Sequence, residues 1–258
     1  TFKTGTKLIE TITDKDDQVV TFFYDPLLRL EKISARGGAV ETEFSYVYAG
    51  AGQTYVERKT IYAADPTGNS QLQEIRSRQY FDGLGRAKQS IGINQSPNKK
   101  DIVTHIEYDA LGRQVKNYLP YTATTNNGFL KANAKNLTRD YYWAHYQSDF
   151  VNLSSVNAYS EKGFDGSPLN RVVEQTAPGS DWKLGTNMIS AKSYTDGNTI
   201  KFEHNTNTSS EVKQYSITTV FANNIYTPTL QGGSSNYGTG ELSKSITKDE
   251  NWVPAKGL

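Results

Sequence analysis

Aspartate and arginine recur together along this chain at short spacing. A carboxylate held beside a guanidinium is a pairing that general acid–base work or phosphate binding would use. The pairs are Asp25 with Arg29, Asp82 with Arg86, Asp109 with Arg113 and Asp165 with Arg171. An aromatic residue stands before each aspartate. The copies read Tyr24-Asp25-Pro26-Leu27-Leu28-Arg29, Phe81-Asp82-Gly83-Leu84-Gly85-Arg86 and Tyr108-Asp109-Ala110-Leu111-Gly112-Arg113, with a stretched copy at Phe164-Asp165-Gly166-Ser167-Pro168-Leu169-Asn170-Arg171. An active site is rarely repeated along one chain, whereas a structural unit is. The pairs therefore read as turn chemistry: a short carboxylate accepts backbone N–H groups ahead of it, and the arginine forms a local ion pair across the turn.

Other candidates for chemistry are weaker. His105, His145 and His204 lie apart from any metal-ligand spacing or nucleophile pattern, so each reads as a surface or packed residue. Asp14-Lys15-Asp16-Asp17 has the acidity of a calcium loop, but Val20 stands where the EF-hand pattern requires glycine. A turn is the simpler reading. No catalytic residue, cofactor or metal is expected, and the chain is not expected to be an enzyme. Tyr141-Tyr142-Trp143-Ala144-His145-Tyr146 is the most aromatic stretch. Tyr141, Tyr142, Trp143 and Tyr146 are candidate contacts with a sugar or a protein partner, set against the simpler reading that they bury an insertion on a sheet.

The elements that must position these residues are β-hairpins. Over residues 102–109, Ile102, Thr104, Ile106 and Tyr108 share one strand face, and Val103, His105 and Glu107 share the other. Asp109 opens the turn, Gly112 sits where a short loop needs positive φ, and Arg113 opens the return strand. Gly85 fits the same position in its copy, and Asn170 is the next-best residue for it. Leu28 does not fit, which predicts a different turn type or a displaced register in the first copy. The arginines are separated by 57, 27 and 58 residues (29 to 86, 86 to 113, 113 to 171). The two long intervals are close to double the short one, which predicts diverged hairpins between the recognisable copies.

These copies resemble the YD repeats of Rhs proteins, shared with teneurins and the BC shell of Tc toxins. The resemblance extends to Tyr118-Leu119-Pro120-Tyr121, to Ser167-Pro168-Leu169-Asn170-Arg171-Val172-Val173-Glu174-Gln175, to Ala177-Pro178-Gly179 and to Thr247-Lys248-Asp249-Glu250-Asn251. Together they are similar to the leading region of Rhs-repeat proteins common in Bacteroidota, over roughly residues 79–251. The resemblance implies a long β-strand spiralling into a hollow shell that encloses a variable C-terminal toxin or supports adhesion. It implies secretion or surface display, with a type IX route as the expectation. The family's self-cleaving core has no match here.

Composition agrees with a mainly β chain. Tyrosine is abundant at 17, and Tyr, Thr, Val and Ile suit half-buried pleated surfaces. Lys plus Arg number 28 against 27 acidic residues, a balance that argues against nucleic acid as a partner. Cysteine is absent, so disulfides contribute nothing. No apolar run is long enough to span a membrane as a helix, and no membrane insertion is expected.

Strands are expected over most of residues 1–119, with a loop at 49–52, a turn cluster at 65–69 and hairpins at 71–93 and 102–119. Residues 120–155 read as an insertion, with a short helix at 136–146 capped by Asn136 or Thr138. Strands resume near 158, 171–175, 189–194, 200–204, 211–222 and 242–247. Residues 231–240 are Gly/Ser-rich and read as a mobile loop, and Trp182 reads as the anchor of a turn at 177–182. The fold class is thus successive antiparallel hairpins forming a curved, open sheet, a single region over 1–258 that is a section of a longer chain. The expected function is a structural segment of a YD-repeat shell; the alternative is a surface adhesion or glycan-binding module. The expected partners are the rest of the parent polypeptide, secretion components or surface proteins.

Overall fold

The computed structural model describes residues 1–48, 53–62, 73–184, 188–189, 193–194 and 198–252. The expected loop at 49–52 and turn cluster at 65–69 lie outside them, as does part of the strand expected at 189–194. The chain forms two compact units, Thr1–Ser160 with Pro178–Ser180, and Glu161–Ala177 with Asp181–Leu258. The architecture is mainly β, with antiparallel open sheets and one α-helix among the described residues.

In the first unit the strands are β1 (Thr11–Thr13), β2 (Val19–Tyr24), β3 (Leu30–Ala35), β4 (Val40–Val47), β5 (Tyr55–Tyr62), β6 (Gln73–Phe81), β7 (Ala87–Ile93), β8 (Ile102–His105), β9 (Lys116–Tyr118) and β10 (Tyr121–Thr122). They pair in the order β1-β2-β3-β4-β5-β6-β7-β8-β10, each with its chain neighbour except where β9 is passed over. Short connections between alternating strands favour this meander. The return strand after Arg113 is bent. Ile106 bridges Asn117, yet Val103 faces Tyr121, so one extra residue lies on the return side. Pro120 has no N–H for a ladder, and the Leu119 N–H donates instead to the Ala158 carbonyl at 2.9 Å.

The hydrophobic core sits at one end of this sheet. Tyr80, Ile91, Ile93, Val103, Tyr121, Ala123 and Ala134 form it, with Tyr55, Leu130 and Tyr141 packed against it. The helix α1 (Ala134–His145) covers β8 and β10. It starts earlier than the sequence predicts. Asn133 is the N-cap and makes no side-chain cap bond, while the buried Thr138 hydroxyl donates back to the Ala134 carbonyl at 2.8 Å. The loop at 123–131 is held to the sheet by polar contacts. The Tyr80 hydroxyl and Arg78 Nη1 donate to the Gly128 carbonyl at 2.8 and 3.1 Å. Gln89 receives the Lys131 N–H at 2.9 Å and returns a bond to the Lys131 carbonyl at 3.0 Å. By contrast, no residue from 1 to 48 is buried, so among the described residues nothing covers β1–β4 as α1 covers β8 and β10.

The second unit carries a sheet in the order β18-β15-β12-β11, where β11 is Tyr159–Phe164, β12 Val172–Gln175, β15 Ile200–Thr206 and β18 Ser243–Lys248. A small pair, β13 (Met188–Ile189) and β14 (Ser193–Tyr194), lies before β15 in the chain. The third element is a long hairpin of β16 (Lys213–Ala222) and β17 (Ile225–Asn236), joined through Asn223 and Asn224 at φ 52° and 60°, the backbone of a type I′ turn. The loop expected at 231–240 is therefore strand as far as Asn236. Gly232 and Gly233, at φ 114° and 84°, absorb a register shift, and a Cβ on Gly233 would lie 2.9 Å from the Tyr215 ring. Trp182 ends a short 3-10 turn, Ser180–Trp182, and is 38% exposed.

Candidate functional site

The site built most deliberately by this sequence is its set of Asp–Arg turns. In the first three copies the bonds are the same. The Asp N–H donates to the Arg carbonyl at 2.9, 2.8 and 2.9 Å for Asp25, Asp82 and Asp109. The N–H of Leu28, Gly85 and Gly112 donates to the carbonyl of its own copy's aspartate at 2.9, 3.0 and 2.9 Å. One carboxylate oxygen accepts two further N–H groups, from Leu27 and Arg29, Leu84 and Arg86, and Leu111 and Arg113, all at 2.9 Å. The other accepts the arginine Nε at 2.6, 2.8 and 2.8 Å. This is a type I turn closed by a left-handed residue, the three-residue hairpin loop with a bulge.

Leu28 overturns the expectation of a different turn. It adopts φ 62°, beside 75° at Gly85 and 77° at Gly112. The same set of bonds around Asp25 holds this leucine in a conformation that a bulky residue otherwise avoids. The stretched copy keeps the logic. The Asp165 N–H donates to the Arg171 carbonyl at 2.9 Å, Arg171 Nε donates to the Asp165 carboxylate at 2.8 Å, and Asn170 takes the left-handed position at φ 51°. The backbone N–H groups of Arg86 and Arg113 hold the Asp82 and Asp109 carboxyls below the usual range. The Arg171 side chain, with Ser167 and backbone bonds, brings Asp165 down to about 2. Such a depressed carboxylate supports the fold fully above its ordinary pKa of 3.8, and that support is lost as pH falls toward about 2.

The turns of Arg29 and Arg86 also reach beyond themselves. Arg86 lies over the Tyr108 ring of the following copy at 4.5 Å. Arg29 lies over Tyr46 at 4.3 Å and donates to the Tyr48 hydroxyl at 2.8 Å. In both cases the arginine that precedes a return strand rests on an aromatic near or just past the far end of the next strand, so the ion pair and the cation–π contact join neighbouring hairpins. Between Arg29 and Arg86 the strands β4 and β5 pair antiparallel, whereas the later interval is occupied by β9, β10, α1, 3-10 turns and β11. Tyr24 donates its hydroxyl to the Ile9 carbonyl at 2.7 Å, and the Phe81 N–H donates to the Thr54 carbonyl at 2.9 Å.

Matching this ordered series of hairpins and the helix after it, the pattern of a family described as a domain of unknown function, DUF6443, fits residues 53–196. The chain belongs to the DUF6443 family. No curated protein matches it. The DUF6443 match contains the second, third and fourth turn copies and α1, and leaves the Leu28 copy before it.

Within this DUF6443 chain the aromatic stretch is mostly turned inward. Tyr141 packs on the core and stacks with His145 at 4.1 Å, and Tyr142 donates to the Pro120 carbonyl at 2.8 Å. Trp143 is half-buried; Tyr146 is exposed and stacks on Tyr142 at 5.6 Å. His105 lies 3.5 Å from Glu107, and burial lowers its pKa. Asp14 accepts the N–H groups of Asp16 and Gln18 at 2.8 and 2.9 Å, an Asx-type turn. Among the described residues no three His, Asp or Glu side chains gather as a metal site would require, and no helix is long and apolar enough to cross a membrane.

One prediction concerns the turn itself. A Cβ on Gly112 would meet only Arg86 Nη1, at 3.5 Å, so the cost of Gly112→Val is backbone strain rather than a clash. Gly112→Val is expected to destabilise by about 1–3 kcal/mol, and Arg113→Ala by less. Denaturant unfolding of both variants checks this, and an unchanged midpoint for Gly112→Val would remove the strained turn from the account.

Proposed function

We propose that this chain is a structural segment of a secreted or cell-surface YD-repeat shell of the Rhs type, one that encloses or displays an effector carried further along the parent polypeptide. The observation that supports this most is the turn-to-neighbour contact. The same Asp–Arg turn recurs, and Arg29 and Arg86 each rest on an aromatic at or just past the end of the next strand. That device extends a wall sideways, hairpin by hairpin, and does no chemistry.

Uncovered surface supports the same reading. On the β16–β17 hairpin, Tyr215, Ile217 and Phe221 share one face with Leu230 and Tyr226, and all five are more than half exposed. A two-stranded hairpin is marginal alone, and an apolar, uncharged face of this kind suits burial against further sheet of the parent chain. The packing of Tyr141 on the core supports the shell reading over an adhesion or glycan-binding module.

The intact mass of the native protein from its source tests the proposal. A mass far above 28.7 kDa is expected. A mature species of that mass alone would overturn the shell segment and favour a self-contained binding module.

A further inference from the structure

The strand β16 in the second unit has an outer edge with no partner among the described residues, since its sheet is the pair β16–β17 alone. Ala222 and Ile225 close the two-residue turn as a hydrogen-bonded pair, and the pairing alternates along the hairpin from there. Thr219 and Pro228 therefore meet as a non-hydrogen-bonded pair, and the ring nitrogen of Pro228 points away from β16. Proline has no N–H, so the outer edge of β17 is interrupted there. The outer edge of β16 is whole. Tyr215, Ile217, Thr219 and Phe221 each turn an N–H and a carbonyl outward. Natural edges are commonly blunted by charge. Here no residue from Gln214 to Gly240 is charged, and Lys213 at the start of β16 is the only charge on the strand.

We propose that the outer edge of β16 is an interface with a second copy of this chain, the two β16 strands pairing antiparallel about a two-fold axis at Thr218. That register alone lets every outward residue pair: Tyr215 meets Phe221 of the second copy, and Ile217 meets Thr219 of the second copy. About eight backbone hydrogen bonds form, two for each facing pair. No like charges meet, because Lys213 comes opposite the uncharged Asn223 turn. Tyr215 and Phe221, 53% and 56% exposed, become cross-strand aromatic neighbours, and Phe221 already lies 4.5 Å from Tyr226. The break at Pro228 limits growth. The joined sheet ends on β17 at both sides, so association closes at the dimer. The join uses the edge of the hairpin, whereas the parent sheet invoked above covers its face, so the two readings stand or fall separately.

Sedimentation equilibrium of the whole chain tests this. A reversible dimer of twice the 28.7 kDa chain mass is expected, with a dissociation constant on the order of 10 μM, the weak end of what interfaces reach. Thr219→Pro removes an outward N–H from each copy and leaves the pairing with β17 intact. It is expected to weaken the dimer about a hundredfold. Thr219→Lys, at an exposed side chain, places the missing charge on the edge and is expected to do the same, which keeps the test open if the proline disturbs β16. Leu230→Lys alters the face and not the edge, so its dimer is expected to match that of the unaltered chain. Amide exchange at Ile217, Thr219 and Phe221 is expected to slow as protein concentration rises. A monomer at about 1 mM, loss of the dimer in Leu230→Lys but not in Thr219→Pro, or growth beyond a dimer would each overturn the proposal.

Discussion

Ile91→Ala is expected to destabilise the first unit by about 2–5 kcal/mol, because the side chain it truncates has no exposed surface. Ile91 sits in the middle of β7, opposite Arg78 on β6 and Val103 on β8. Val103 is equally buried, and Tyr80 and Tyr121 close the cluster. Interiors are packed too densely to refill such a void cheaply. Urea unfolding followed by circular dichroism measures the loss. A change below about 1 kcal/mol would show that the core lies elsewhere. The same truncation at Ile12, which is 48% exposed on β1, is expected to cost far less, since little apolar surface is withdrawn from water there.

Asp101→Ala is the second large effect, at about 2–4 kcal/mol. Asp101 has no exposed surface, yet it carries a carboxylate. One oxygen accepts the Gly128 N–H at 2.9 Å and lies 3.4 Å from Lys131 Nζ, and the other accepts the Asn94 N–H at 3.3 Å. Its backbone also pairs with Thr125 and Ala123, at 2.9 and 2.8 Å. Removing the carboxylate strands a buried N–H at Gly128 and takes a carboxylate partner from Lys131. The loop at 123–131 should then loosen from the sheet. Amide hydrogen exchange across this loop measures that, with faster exchange expected at Gly128 and Lys131 than in β2–β4. Unchanged protection at Gly128 would show that Tyr80 and Gln89 hold the loop without Asp101.

Both effects arise where the chain packs against itself at long range, and that marks the limit of what could be read from the residues alone. The helix was legible over 136–146, but its start was misplaced at Asn136 or Thr138. Both residues carry cap-type side chains, and only the packed helix shows Thr138 turned back onto Ala134. The strand at 231–236 was hidden by glycines that usually mark a loop. Their flexibility is instead used to pass a register shift beneath the Tyr215 ring.

What the sequence by itself determined is the set of Asp–Arg turns and the strands that flank them. Every bond of such a turn joins residues at most six positions apart, and strand faces follow from alternation, so neither needs a distant partner to be recognised. Tertiary structure alone decided which aromatics Arg29 and Arg86 rest on, and that Leu28 is held in a left-handed conformation. The aromatic partners bring together residues that lie far apart along the chain. Leu28 has its turn partners close by, but its intrinsic preference opposes the outcome, which appears only once the strands on either side are paired.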